Sequence, residues 1–238
     1  MNFINVLKSS ALTLSIIIAG NGIANAQNSK NVSVKNFNGI TVSSGIDLYL
    51  TQGTTETLTI KGDDDLIKDV IVEQMGTDVK IKYKDGVNWS RLFKNQSIKV
   101  YVNYKSLKAL TASGGSDVFT QNTLKTDLLN LRASGGSDLK LTLTVKDLNL
   151  SISGGSDAEL KGSGENMNAS ASGGSDIDAL GYVVNYAKVN VSGGSDANIY
   201  VNKGLEAGAS GGSDVNYKGN AGLKKTTSSR SGDISRIN

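Results

Sequence analysis

Ser134-Gly135-Gly136-Ser137-Asp138-Leu139-Lys140-Leu141-Thr142-Leu143-Thr144-Val145 carries a turn signal and a strand signal back to back, and its first five residues occur six times in the chain. Copies of SGGSD begin at Ser113, Ser134, Ser153, Ser172, Ser192 and Ser210, at steps of 21, 19, 19, 20 and 18 residues. A fixed period near 20 is the mark of a stacked repeat architecture. Degenerate copies flank the six, Ser43-Ser44-Gly45-Ile46-Asp47 upstream and Arg230-Ser231-Gly232-Asp233 downstream. Terminal repeats that cap a stack are expected to be atypical in this way.

Between the strings, apolar and polar residues alternate. The run from Asp138 to Val145 has period two, and so does Asp147-Leu148-Asn149-Leu150-Ser151-Ile152. Period two denotes a strand with one buried face, so each repeat supplies two or three short strands and no helix. One repeat cannot bury that face alone. Stacking copies at the interstrand spacing of about 4.8 Å closes a continuous core. The fold class expected is all-β, a parallel β-helix or solenoid with about 19–20 residues per coil. The general preference for right-handed crossovers gives its hand as right-handed.

The register can be tested within the sequence. The residue after each Asp is Val118, Leu139, Ala158, Ile177, Ala197 or Val215, and the residue before each string is Ala112, Ala133, Ile152, Ala171, Val191 or Ala209. Two positions further back stand Leu110, Leu131, Leu150, Ala169, Val189 and Ala207. Three apolar columns agree across six coils, so SGGSD sits between inward positions and is a corner. Gly-Gly supplies positive φ at little steric cost, and the Ser and Asp side chains can bond backbone groups at the turn. By alternation the Asp points outward, and Asp117, Asp138, Asp157, Asp176, Asp196 and Asp214 form a ladder along one edge. Carboxylates about 5 Å apart repel by roughly 1 kcal/mol in water and about 3 kcal/mol at an effective dielectric near 20. Either hydrogen bonds from Ser hydroxyls and Gly amides or a row of Ca2+ ions must offset this. Calcium solenoids with Gly-Gly-x-Gly-x-Asp turns carry two such turns per coil, whereas this chain carries one.

The ends and the composition bound the rest. Residues 1–26 read as a cleaved signal peptide: Lys8, the apolar run Ala11–Ala19, and the small-x-small site Ala24-Asn25-Ala26. Residues 27–110 read as an irregular β segment holding the first coils, and residues 111–238 as regular coils with a fraying C-terminal cap. Asp63 to Val72 reads as a short helical turn, with Asp63-Asp64-Asp65 at its N-terminus. The chain has no Cys, no His and no Pro. Export without Cys points to a large hydrogen-bonded fold rather than a disulfide scaffold. The lack of His excludes a Ser-His-Asp triad and His-ligated metals, so any metal site uses oxygen ligands. A net charge of +3 gives no footprint for nucleic acid, and no second apolar segment offers a transmembrane helix.

The corners every 19 or so residues, the signal peptide and the segment Phe37-x-x-Ile40-x-Val42-x-x-Gly45-Ile46-Asp47-Leu48 resemble the head GIN domain family, also described as a putative auto-transporter adhesin domain of exported Bacteroidetes proteins. The likeness spans roughly residues 35–220. The string usual in that family is closer to SGSGD. The resemblance implies a β-helical fold and carries over no catalytic residue.

The function expected is that of an exported, non-enzymatic solenoid, a cell-envelope scaffold or adhesin-like module that binds an envelope glycan or protein and resides in the periplasm, on the outer-membrane surface or outside the cell. Candidate contacts are the six corner aspartates and the loop from Asp85 to Gln96 with Trp89, Arg91 and Phe93. Those aromatic residues can equally cap an open end of the core. Two alternatives stand beside this reading. One is a polysaccharide-processing β-helix enzyme using ladder carboxylates with Arg132 nearby. The other is a calcium-stabilised structural module. Solenoid ends also expose strand edges, which suit end-to-end self-association.

Overall fold

The computed structural model describes residues 28–87, 98–226 and 232–238. Its regular half is a stack of parallel strands in sequence order: β10 (Leu124–Ser134), β11 (Leu139–Ser153), β12 (Ala158–Ser172), β13 (Ile177–Ser192) and β14 (Ala197–Ser210). Ser134 pairs with Ser153, Ser153 with Ser172, Ser172 with Ser192 and Ser192 with Ser210, so each SGGSD lies directly over the one before it. The expected parallel β-solenoid is the fold observed.

Where alternation predicted two or three short strands per repeat, most coils hold one long bent strand. In β11 the buried positions run Leu139, Leu141, Leu143, Val145 and then change phase to Leu148, Leu150, Ile152. Lys146 and Asp147 between them both face out, and Lys146 drops out of the register on either side. The strand turns there without breaking its ladder, because the coils above and below bend at the same place. Each coil therefore has two bends, one at SGGSD and one midway.

All three apolar columns point inward, and none of their eighteen residues exceeds 3% exposure. Outside these columns, β12 places Gly162 and Gly164 in register with Leu143 and Val145 of β11. A Cβ on either would collide with the neighbouring coil's carbonyl oxygens. The ring of the fully buried Tyr182 lies against Gly164, and its hydroxyl donates to the Val145 carbonyl at 3.1 Å.

The N-terminal coils stack out of sequence order. β2 (Gly39–Ser43) lies between β6 (Asp78–Tyr83) and β8 (Ala109–Ser113), and β3 (Ile46–Gln52) lies between β7 (Ile98–Tyr104) and β9 (Val118–Thr120). The first coil in the sequence is thus the second in space. Antiparallel strands close this end: β5 (Val70–Met75) on β6, β4 (Thr57–Gly62) on β7, and β1 (Asn28–Val32) on β4. The helical turn is α1 (Asp64–Ile67), capped by the Asp63 side chain on the Asp65 amide at 2.9 Å, with Leu66 and Ile67 buried. At the other end β15 (Ser213–Lys218), β16 (Gly222–Lys225) and β17 (Gly232–Arg236) add to the stack, and Asp233 falls in register with Asp214.

Candidate functional site

The corner is built from a fixed division of labour within SGGSD. Both glycines are left-handed, with φ between 62° and 76° in all six copies, a conformation that a Cβ makes unfavourable. The first glycine also packs on the corner before it: a Cβ on Gly154 would stand 3.3 Å from the Gly135 amide nitrogen. The second glycine faces open space. The second serine turns inward and is fully buried in all six copies. Its Oγ accepts the backbone N–H of the equivalent serine one coil earlier: Ser116 N–H on Ser137 at 3.1 Å, Ser137 on Ser156 at 3.0 Å and Ser175 on Ser195 at 3.0 Å. In the degenerate first copy Ile46 takes the serine's place, and its amide is received by Ser116 Oγ at 3.1 Å.

The aspartates form the ladder expected from the sequence, facing out and partly to fully solvated. Their repulsion is offset by a donor the sequence reading did not name. Five of the six carboxylates accept the backbone N–H of the next aspartate: Asp138 N–H on Asp117 Oδ1 at 3.2 Å, Asp176 on Asp157 at 3.2 Å, Asp196 on Asp176 at 3.0 Å, Asp214 on Asp196 at 2.9 Å and Asp233 on Asp214 at 3.1 Å. The hydroxyls of the second serines, expected to share this task, are turned into the core. Among the described residues no three acidic, His or Cys side chains converge tightly enough to hold a metal ion. Arg132 is exposed in a column with Thr111 and Ser151, and makes no ion pair with a corner aspartate among the described residues. Trp89, Arg91 and Phe93 lie outside the described residues, as does the segment 1–26 expected to be a signal peptide.

Three surface features were not expected. The interleaved order of the N-terminal coils brings Tyr101, Tyr49 and Phe119 into one stack, with ring centroids 4.9 and 5.1 Å apart. Lys61 Nζ lies 4.9 Å from the Tyr101 ring centroid. Burial in this stack raises the Tyr49 hydroxyl's pKa, against the opposing field of Lys99. Tyr49 and Phe119 both stand two residues after a corner Asp, a shared repeat position that could have been noticed. Tyr101 lacked that signal.

The second feature is an open cleft of about 880 Å³ at the midway bend of the early coils. Lys105, Lys108, Lys125 and Lys146 line it, but Asp127 and Glu165 stand on either side of Lys146, and Lys105 reaches Glu56 at 3.9 Å. The third is a trough of about 560 Å³ along the face just past that bend, between two outward columns. One column runs Asp147, Asn166, Tyr186, Gly204, Gly222, and the other Asn149, Asn168, Lys188, Glu206, Lys224. Tyr186 is 48% exposed and leans across Gly204, its Cδ1 3.1 Å from where a Cβ there would stand. Asn166 donates to Asp147 Oδ1 at 2.7 Å. Glu206 pairs with both Lys188 at 2.9 Å and Lys224 at 3.1 Å, and these bonds hold its carboxyl below the usual carboxylate range, Lys188 contributing most.

Solved structures share the architecture. A putative adhesin from Bacteroides fragilis is 23% identical with a TM-score of 0.80, over 90% of this chain and 98% of that one. A putative adhesin from Parabacteroides merdae is 22% identical with a TM-score of 0.68, over 90% and 98%. A protein from Parabacteroides distasonis named as a putative lipid binding protein is 18% identical with a TM-score of 0.69, again over 90% and 98%. At these identities the likeness speaks for the fold alone. No curated protein matches the chain. The family model "Putative auto-transporter adhesin, head GIN domain" matches residues 36–221, and the chain belongs to that family of adhesin-like β-solenoids.

Proposed function

We propose that the protein is an exported, non-enzymatic binding module of the cell envelope, which presents the side faces of its solenoid to an extracellular or periplasmic partner. The observation that carries this reading is the separation of roles between corner and face. The corner aspartates, repeated on every coil, are engaged by backbone amides and hold the stack together, so they serve the scaffold. The variation between coils lies on the faces, in the trough beside Tyr186 and in the cleft lined by lysines. A regular scaffold with a varied, extended face suits binding, and the adhesin names within the family agree with it.

Two experiments test the reading. Protease treatment of intact cells, with the protein followed by immunoblot, separates surface display from periplasmic residence, and either supports export. The purified protein should bind isolated envelope fractions saturably. Retention in the cytosol, or no saturable binding to any envelope fraction, would defeat the proposal.

A further inference from the structure

The trough beside Tyr186 combines a solvent-facing ring, exposed amides and balanced charge in one groove. We propose that it is a binding site for a linear, uncharged polysaccharide, laid parallel to the solenoid axis with one sugar packed on Tyr186. The inference rests on the reading of the protein as a binding module and names the site and the ligand class.

Direction comes first. The two columns that border the trough cross five coils, from Asp147 and Asn149 to Gly222 and Lys224. Coils repeat at about 4.8 Å, close to the length of one pyranose in an extended chain. A sugar polymer lying along the axis therefore meets a new pair of side chains at nearly every residue. A polypeptide has no such match and no strand edge to join, since β12, β13 and β14 are paired on both sides.

Chemistry follows. Glycines at 204 and 222 leave the Tyr186 ring without a side-chain neighbour further along its column, and nearly half of the residue is exposed. The C–H face of a pyranose packs on such a ring. The Lys203 ammonium, 5.6 Å from the ring centroid, is a long exposed contact that a sugar can displace. Asn168 is exposed, and its side chain has no hydrogen-bond partner among the described residues. Its amide offers both a donor and an acceptor, which is what a sugar hydroxyl needs. Asn166, bonded to Asp147, presents a second exposed amide one column over.

Charge selects the class. Lys188 and Lys224 are both paired with Glu206, and Asp147 takes an Asn166 N–H. The trough has no unpaired charge cluster to call for an ionic ligand. Its apolar floor residues, Leu148, Met167 and Leu205, are buried, so it offers a protein partner no deep apolar anchor.

The test is calorimetric titration of the purified protein with neutral oligosaccharide series from dimer to hexamer, using β-1,4-glucan, β-1,4-mannan, β-1,4-xylan and α-1,4-glucan. At least one series should bind, with affinity rising with length until about five sugars fill the trough. Tyr186→Ala should weaken the hexamer about ten-fold, as expected for loss of one aromatic contact, while Tyr186→Phe stays near wild type. Asn168→Ala, which removes no side-chain hydrogen bond among the described residues, should weaken binding without moving the thermal midpoint. Lys140→Ala, on the other face, should change nothing. Failure of all four series to bind, equal affinity for dimer and hexamer, or undiminished binding in both Tyr186→Ala and Asn168→Ala overturns the inference. If envelope fractions still retain the protein while these sugars do not bind, the trough inference fails and the binding-module reading stands. If neither binds, both fail.

Discussion

Ser156 Oγ is buried and receives the Ser137 backbone N–H at 3.0 Å. Ser156→Ala leaves this buried donor unpaired, at a cost of about 1–3 kcal/mol. Urea denaturation should show that loss, and an unchanged midpoint would mean the hydroxyl is dispensable. The glycines offer a second comparison at the same scale. Ala at either Gly154 or Gly155 must hold a positive φ, costing about 1–2 kcal/mol. Gly154→Ala also presses its Cβ toward the Gly135 amide nitrogen, whereas Gly155→Ala meets nothing. Gly154→Ala should therefore be the more destabilising of the two, and the reverse order in thermal melts would contradict the packing of these corners. Ser44, which keeps φ at 74° without being glycine, shows that the corner tolerates a side chain in the second coil of the stack.

At the scale of the element, the aspartate ladder is a row of like charges held by a row of amides. Asp176 illustrates both: its carboxylate takes the Asp196 N–H at 3.0 Å, and its own N–H reaches Asp157 Oδ1 at 3.2 Å. Asp176→Asn keeps an acceptor for the amide and removes one charge from the row. It should match or exceed wild-type stability, with the gain shrinking as salt screens the ladder. Asp176→Ala removes the acceptor and should cost about 0.5–1.5 kcal/mol. If both variants lose stability equally, repulsion is not a significant term in this ladder. Because amides already serve the carboxylate oxygens, a chelator should leave the thermal midpoint unchanged. A fall on chelation, reversed by Ca2+, would support the calcium-stabilised module instead.

For the whole molecule, the buried tyrosines set an alkaline limit. Burial raises the hydroxyl pKa of Tyr83, Tyr104 and Tyr182, with Asp69 and then Asp47 adding to the effect at Tyr83, which reaches about 12. A raised value means the folded protein keeps a proton that the unfolded chain sheds. This stabilisation is complete below the ordinary tyrosine value of 10.0 and is lost as pH climbs from there through about 12. Thermal midpoints should hold steady on approaching pH 10 and fall beyond it, with tyrosinate absorbance from these rings appearing only above the ordinary tyrosine range. Titration of all eight tyrosines at the ordinary value, with the far-ultraviolet spectrum intact, would contradict their burial.

The sequence by itself determined the coil, the inward columns and the corner aspartates. Each of these depends on the twenty-residue period and on two-residue alternation, both of which are local and repeat from coil to coil. Tertiary structure alone decided three things. It placed the coil of β2 and β3 between two later ones, assembling Tyr101, Tyr49 and Phe119 from residues up to 70 positions apart. It turned the corner serines inward and gave the carboxylates their backbone donors. It left Tyr186 leaning over Gly204, a contact between neighbouring coils on which the sequence period is silent. Periodicity specifies what is the same in every coil, whereas a binding face is made by what differs between them, and those differences meet only when the coils are stacked.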